Sequence, residues 1–217
     1  MSGSEVLRCY VRMAQTAGTE VEIVKADDLA DRLGSILSMP RAELCGAGDS
    51  VHCPAGTSSP SARVAAIPAF GWPEELLRRI KAVLKSAGYG ITTPYIESGR
   101  FRWNRDQLAK ASVGITFCSA FLADTGSIVM PSGPGLGSLA GLLPKIHIVL
   151  SHAEGCRESL VEYLSEDGFS LPSRLTLVSG PSRTGDIEAV MTTGVHGPGR
   201  VLHLIIEGEW AVKFISA

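Results

Sequence analysis

The chain has 217 residues, 45% of them apolar, enough for one good-sized core, and its formal net charge of −2 supplies no overall electrostatic reason to bind nucleic acid or an anionic membrane. Its five cysteines are odd in number and contain no Cys-x-x-Cys pair, which argues against a disulfide framework and against a zinc or iron–sulfur cradle. The N-terminus has no apolar signal region and no run reaches the ~18 apolar residues of a spanning helix, so the expectation is a single domain over residues 1–217, soluble and cytoplasmic.

In chain order, Val21 to Val24 reads as a short strand, and Leu29, Leu33, Ile36 and Leu37 mark one face of a helix that Pro40 ends. Residues 40–62 are rich in Gly, Ser, Pro and Ala, bury little, and are expected to form a mobile loop. Val64 to Ile67 is the next strand. Pro73-Glu74-Glu75 opens a helix with proline in its first turn and acids at its positive end; Leu76, Leu77, Ile80, Val83 and Leu84 form its apolar stripe, and Gly88 caps it. Gly90 to Thr93 predicts a further strand.

Asn104 with Gln107 resembles a capping pair for a short helix leading into the strand Val113 to Phe117. The later runs Ile128 to Met130, Ile146 to Leu150, Leu175 to Val178 and Val201 to Ile206 are apolar on both faces. Gly-rich turns and an expected helix over Arg157 to Leu164 separate them. Strands buried on both faces belong to a mostly parallel open sheet with covering helices, so the fold class is α/β.

In such a sheet ligands bind beyond the carboxyl ends of the strands. The stretch SGPSRTGDIE, Ser179 to Glu188, follows the Leu175 to Val178 run and is such a loop by position. Gly180 and Gly185 permit close backbone approach, Ser182 and Thr184 offer hydroxyls, Arg183 can pair with an anion, and Asp186 or Glu188 can serve as base, acid or orienter. The same residues also suit a plain turn in which Ser182 or Thr184 caps a helix and the acids complement its dipole. A second candidate is the turn Asp124-Thr125-Gly126-Ser127, whose side chains suit a polar ligand as well as ordinary turn formation. A third is Thr193 to Gly199, where Gly194, Gly197 and their neighbours hold His196, able to donate to an anion or move protons, or simply to bond a backbone carbonyl. The three loops are expected to meet at one pocket.

Other apparent motifs fail on context. Gly135-Leu-Gly137-Ser-Leu-Ala140 fits a dinucleotide pattern, but Pro134 and Pro144 leave no room for its helix. Arg100 to Arg105 mixes arginines with aromatics in an acidic chain and reads as a surface strap. His147, between Ile146 and Ile148, reads as a core histidine, and His52 beside Cys53 lacks further ligands.

Taken together, ADTGSIVM, LVSGPSRTGDIE and GVHGPG resemble the best-marked segments of the lactate-utilisation protein C group, also called the LUD domain; PKIHIVLSH and VGITFCSAFLADTG are also in character. The similarity runs from the helix near Pro73 to about Ile206. The resemblance implies a fold similar to that of ribose-phosphate isomerase, CoA-transferases and 5-formyltetrahydrofolate cyclo-ligases, and a role in oxidising L-lactate to pyruvate beside iron–sulfur partner proteins. Asp124 supplies the carboxylate of the family's A-[DE]-T-G turn, and Gly185 the small residue before Asp186. The resulting expectation is an accessory subunit without a cofactor of its own, its partners carrying the clusters, that binds a small carboxylate or anionic cofactor. Gly180, Ser182 and Thr184 would supply donors, Arg183 a cation, and Asp186, Glu188 or His196 proton transfer. Two other readings stay open: an independent enzyme on a phosphorylated or CoA-linked acid, and an assembly module without chemistry.

Overall fold

Successive residues of a strand point to opposite faces, so a strand apolar at every position needs cover on both sides. That requirement organises the structure, a computed structural model that describes residues 2–40, 63–68, 72–133, 138–185, 191–194 and 196–208. Six strands, β1 (Glu20–Lys25), β2 (Arg63–Ala66), β3 (Tyr89–Thr92), β6 (Ala111–Phe117), β9 (Ile146–His152) and β14 (Arg200–Glu207), form one sheet in the order β1-β14-β9-β6-β2-β3. Every pairing in it is parallel.

One face of this sheet presents Ile146, Ile148 and Leu150 of β9 and Leu202, Leu204 and Ile206 of β14 to the helices α2 (Leu29–Ser38) and α3 (Glu74–Ser86), in a single apolar cluster. Leu33, Ile36, Ile80 and Leu84 of those helices are at most 1% exposed, and each such side chain contributes about 1.5–3 kcal/mol of burial. The other face presents Val149, Val201 and Ile205 to a second cluster containing Val6, Tyr10 and Ala14 of α1 (Gly3–Ala17).

The sequence reading assigns no element to α1. Its buried residues are spaced by four, so they stack on one face, and its first turn is tied by the Ser2 N–H donating to a Glu5 carboxylate oxygen at 2.7 Å. Gly18, at φ +94°, ends it in the left-handed conformation.

A smaller sheet lies on the α1 side, built from β7 (Ala120–Leu122), β8 (Ser127–Pro131), β10 (Cys156–Arg157) and β11 (Leu175–Val178) in the order β10-β7-β8-β11. The expectation that Ile128 to Met130 and Leu175 to Val178 belong to the parallel sheet is therefore corrected: β8 pairs antiparallel with both β7 and β11. These strands look apolar on both faces because Ile128, Met130 and Val178 join the cluster with α1, while Val129 joins a second cluster with Tyr163 against which Leu175 packs.

Shorter elements complete the described residues. A hairpin joins β4 (Tyr95–Glu97) to β5 (Arg100–Arg102), and β12 (Arg183–Gly185) pairs antiparallel with β13 (Met191–Thr193). Helix α4 (Arg105–Ala109) is capped as expected, the Asn104 Oδ1 accepting from the Gln107 N–H at 3.1 Å, and α5 (Ser138–Leu142) precedes β9. In place of the expected helix over Arg157 to Leu164, Arg157 ends β10 and α6 spans Leu160–Leu164 with Ser159 as its N-cap. The expected mobile loop lies, apart from Pro40, outside the described residues. Among the described residues no helix is long and apolar enough to cross a membrane.

Candidate functional site

Because all six strands of the large sheet are parallel, the segments that enter them share one edge. His196 to Gly199 enters β14, Lys145 enters β9, and the end of α1 with Gly18 and Thr19 enters β1. The Gly199 N–H donates to the Lys145 carbonyl at 2.9 Å, which fixes two of these segments side by side. The expected loops therefore sit at the amino edge of the sheet, not beyond its carboxyl ends. The reason is that SGPSRTG leaves β11 of the small sheet, whose direction is independent of the large one.

Within that edge the loops do converge. Ser182 donates its N–H to the Pro198 carbonyl at 2.8 Å, and its own carbonyl accepts from the Gly194 N–H at 2.7 Å. Gly197 is buried against Ser182, where a Cβ would stand 3.0 Å from the serine Cβ. The Lys145 ammonium donates to the Gly194 carbonyl at 2.8 Å. A chain of hydroxyls ties in the Asp124 turn: Ser127 and Ser179 oxygens lie 2.7 Å apart, Ser127 donates to Thr125 at 2.8 Å, and Thr125 donates to the Asp124 carboxylate at 3.1 Å.

The glycines of these loops face protein. A Cβ on Gly180 would stand 2.1 Å from the Ala17 carbonyl oxygen, and one on Gly126 would stand 2.3 Å from the Ala14 nitrogen. Both residues have positive φ, +86° and +66°. Their close approach is to the last turn of α1, which corrects the expectation that Gly180 makes room for a ligand. Arg183 serves the same junction, donating from Nη2 to the Ala17 carbonyl at 3.3 Å, where a cation complements the negative end of a helix.

Of the remaining expected residues, Thr184 and Gly185 lie in β12, with Thr184 half-buried and Gly185 exposed, and His196 is exposed on its turn. Asp186 and Glu188 lie outside the described residues. The sequence reading missed Lys145, Ser179 and the α1 terminus as members of this cluster. Lys145 stands directly before the apolar run of β9, a position from which a strand-entry side chain can reach a neighbouring loop, and that was its available signal. The α1 terminus had none, being more than a hundred residues distant from the loops it contacts.

Chemically, among the described residues, the edge brings the Lys145 and Arg183 cations and a set of hydroxyls beside the Asp124 carboxylate, with the Arg200–Glu20 ion pair at the starts of β14 and β1. Arginine has five N–H donors, and the Ala17 bond uses one, so Arg183 retains the capacity for a two-point bond to a carboxylate. Other polar groups belong to the interior. His203 accepts or donates at Nδ1 with the Tyr10 hydroxyl, 2.5 Å away, and at Nε2 with the Ser151 hydroxyl, 2.7 Å away; His147 contacts the Thr116 hydroxyl at 2.8 Å. Burial lowers the pKa of both histidines to about 3, so both are neutral, and His147 is the core residue expected of it. Burial likewise pushes the Cys118 thiol up to about 12. Among the described residues no group of three or more His, Cys, Asp or Glu side chains is placed to hold a metal ion.

Comparison with known proteins gives a consistent picture. The LUD domain family model matches residues 7–206. Over 112 residues the chain is 34% identical to lactate utilization protein C of Halalkalibacterium halodurans, covering 47% of each protein. Over 132 residues it is 30% identical to lactate utilization protein C of Bacillus pumilus, covering 58% of this chain and 55% of that one. The uncharacterized protein YkgG of Escherichia coli is 32% identical over 111 residues, covering 48% of each. These alignments span about half the length of the curated relatives. A crystal structure of a DUF162 family protein from Deinococcus radiodurans aligns with a TM-score of 0.61 at 18% identity, covering 95% of this chain and 99% of that one, which shows a shared fold.

Proposed function

The chain belongs to the LUD domain family, and from that premise we propose that it serves lactate utilisation as an accessory subunit that binds a small carboxylate at the amino edge of its large sheet. The relatives named lactate utilization protein C support the process. The observation that carries the binding reading is the junction of the SGPSRTG and GVHGPG loops at Ser182, with Arg183 and Lys145 beside it. In this reading Arg183 pairs with the ligand carboxylate through N–H groups not used on Ala17, and the Ser182 and Thr184 hydroxyls orient it. Asp186, Glu188 or His196 takes or returns a proton. Oxidising L-lactate to pyruvate removes two electrons and two protons; iron–sulfur clusters on partner proteins would carry the electrons, and this chain would hold the acid.

The test has two arms. Isothermal titration of the purified chain with L-lactate and with pyruvate should give saturable binding that weakens about tenfold or more in Arg183→Ala, the loss expected of a charge-assisted pair. Complementation of growth on L-lactate should succeed with the wild-type chain and fail with Arg183→Ala and Asp186→Asn, both variants melting close to wild type. Normal growth with both variants would overturn the site. Normal growth on lactate of a strain lacking the chain would overturn the process.

A further inference from the structure

Among the described residues two buried polar side-chain atoms lack a hydrogen-bond partner, the Thr19 hydroxyl oxygen and His147 Nδ1, in residues 2% and 0% exposed. Folded proteins leave few buried polar groups unpaired, because each has given up its hydration without return. Both atoms lie at the same end of the same sheet. His147 pairs with Val201 of β14 on one side and with Gly114 of β6 on the other. Thr19 stands directly before β1, whose first pair is Glu20 with Leu202, so the register carried back one residue sets Thr19 against Val201. Thr19, Val201 and His147 thus form a row across three strands, two residues in from Lys145 and Gly199 of the candidate site. They also share a face. Ile146 and Ile148 pack toward α2 and α3, so His147 points to the opposite side, where Val201 and Val21 join the cluster with α1; Thr19 stands two residues before Val21.

The imidazole of His147 is held in place. Its Nε2 lies 2.8 Å from the hydroxyl of Thr116, which stands on β6 nearer the carboxyl end of the sheet. Gly141 of α5 packs so closely on the ring that a Cβ there would stand 2.7 Å from both Cε1 and Nε2. The two ring nitrogens lie on opposite flanks, so Nδ1 faces away from Thr116, toward Val201 and the amino edge. Burial keeps the ring neutral, with a proton on one nitrogen and a lone pair on the other. The Thr116 hydroxyl can answer either arrangement, so Nδ1 can accept from a hydroxyl or donate to a carbonyl. Thr19, at the other end of the row, stands beside the cation: a Cβ on its neighbour Gly18 would lie 2.8 Å from Arg183 Nη2. Two strand spacings separate Thr19 from His147, about 9–10 Å. Two hydrogen bonds of about 3 Å each leave room between them for a molecule of about three carbons.

We propose that Thr19 and His147 form the inner wall of the amino-edge site: the Thr19 hydroxyl donates to a carboxylate held by Arg183, and His147 Nδ1 bonds a second oxygen on the carbon next to it. The carboxylate rests on the function proposed above; the second oxygen is required by the unpartnered nitrogen. Because both atoms are buried, entry requires the turn His196 to Gly199, closed against Ser182 and Leu142, to move aside. The full chain should be titrated calorimetrically with L-lactate, pyruvate and propionate, the last keeping the carboxylate but lacking the second oxygen. Wild type should bind lactate and pyruvate about tenfold or more tightly than propionate, because propionate leaves Nδ1 unpaired. His147→Phe should lose that preference and keep the affinity for propionate. Thr19→Val should weaken all three acids about fivefold, the worth of one hydrogen bond, and keep the preference. A second measurement needs no variant: in wild type labelled with 15N-histidine, the His147 Nδ1 resonance should move on saturation with lactate and stay with propionate. That of His203 Nδ1, bonded to Tyr10, should stay with both. Equal affinity for lactate and propionate, or a His147 resonance unmoved by saturating lactate, would overturn the inner wall and leave the Arg183 site standing. Unchanged affinities in Thr19→Val would overturn the two-ended geometry. Failure of wild type to bind any of the three acids would overturn the inner wall and the proposed site together.

Discussion

Gly180→Ala separates a glycine kept for its contact with a helix from one kept for a ligand. At φ +86° an alanine costs about 1–2 kcal/mol for the left-handed backbone. Its Cβ would also stand 2.1 Å from the Ala17 carbonyl oxygen and 2.9 Å from its carbon, a backbone collision that no side-chain rotation relieves. Forced overpacking of this kind adds roughly 1–3 kcal/mol, for a total of about 2–5 kcal/mol. At roughly 2–4 °C per kcal/mol for a chain of this size, the melting temperature should fall by about 4–20 °C. Gly88→Ala is the control: it has a similar φ of +78° but no atom within 4 Å of the added Cβ, so it should lose only the backbone contribution. Thermal melts of the three proteins, followed by far-ultraviolet circular dichroism in one buffer, make the comparison. Equal losses in Gly180→Ala and Gly88→Ala would refute the close packing of this loop on α1. Gly126→Ala, whose Cβ would meet Ala14, should resemble Gly180→Ala, and the double variant should depart from additivity because both residues press on one helix end.

Acid should destabilise the protein through its buried histidines. Their folded pKa of about 3 lies below the ordinary 6.5, so the unfolded chain binds more protons below that value; stability is complete above it and is lost as pH falls toward about 3. Each histidine should contribute a loss of roughly 2 kcal/mol by about pH 5, and denaturant melts of His203→Gln across this range should show a shallower slope than wild type. An unchanged slope would mean that His203 is protonated or exposed in the folded protein. Tyr10→Phe should cost about 1–3 kcal/mol, because it leaves His203 Nδ1 buried without a partner, and urea melts read this directly. Asn104→Ala should cost about 0.5–2 kcal/mol through loss of the cap on α4, whereas an unaltered melt would show that α4 does not need it.

What the amino-acid sequence alone determined is the fold class and the six strands of the large parallel sheet. Ile146 to Leu150 and Val201 to Ile206 are apolar at almost every position, and only a sheet covered on both faces buries such a run. Segments whose burial is set by a partner remote in the chain were illegible. Val6, Tyr10 and Ala14 form too narrow a stripe, between outward arginines, to announce α1 until the small sheet is there to receive it. Likewise the residues of the candidate loops could be named, because turns rich in glycine and hydroxyls carry local signatures, and the loops were expected to meet; that Ser182 forms their junction only the tertiary structure decided. Which edge of the sheet they occupy could not be read from the sequence. That depends on β11 pairing antiparallel with β8 while β14 runs parallel between β1 and β9, and strand direction is a property of pairing, not of composition. The roles of Gly126, Gly180 and Arg183 followed from the same source. A glycine's sequence position says that something approaches closely, but only the tertiary structure brings the end of α1 to Gly126 and Gly180 and offers Arg183 the Ala17 carbonyl.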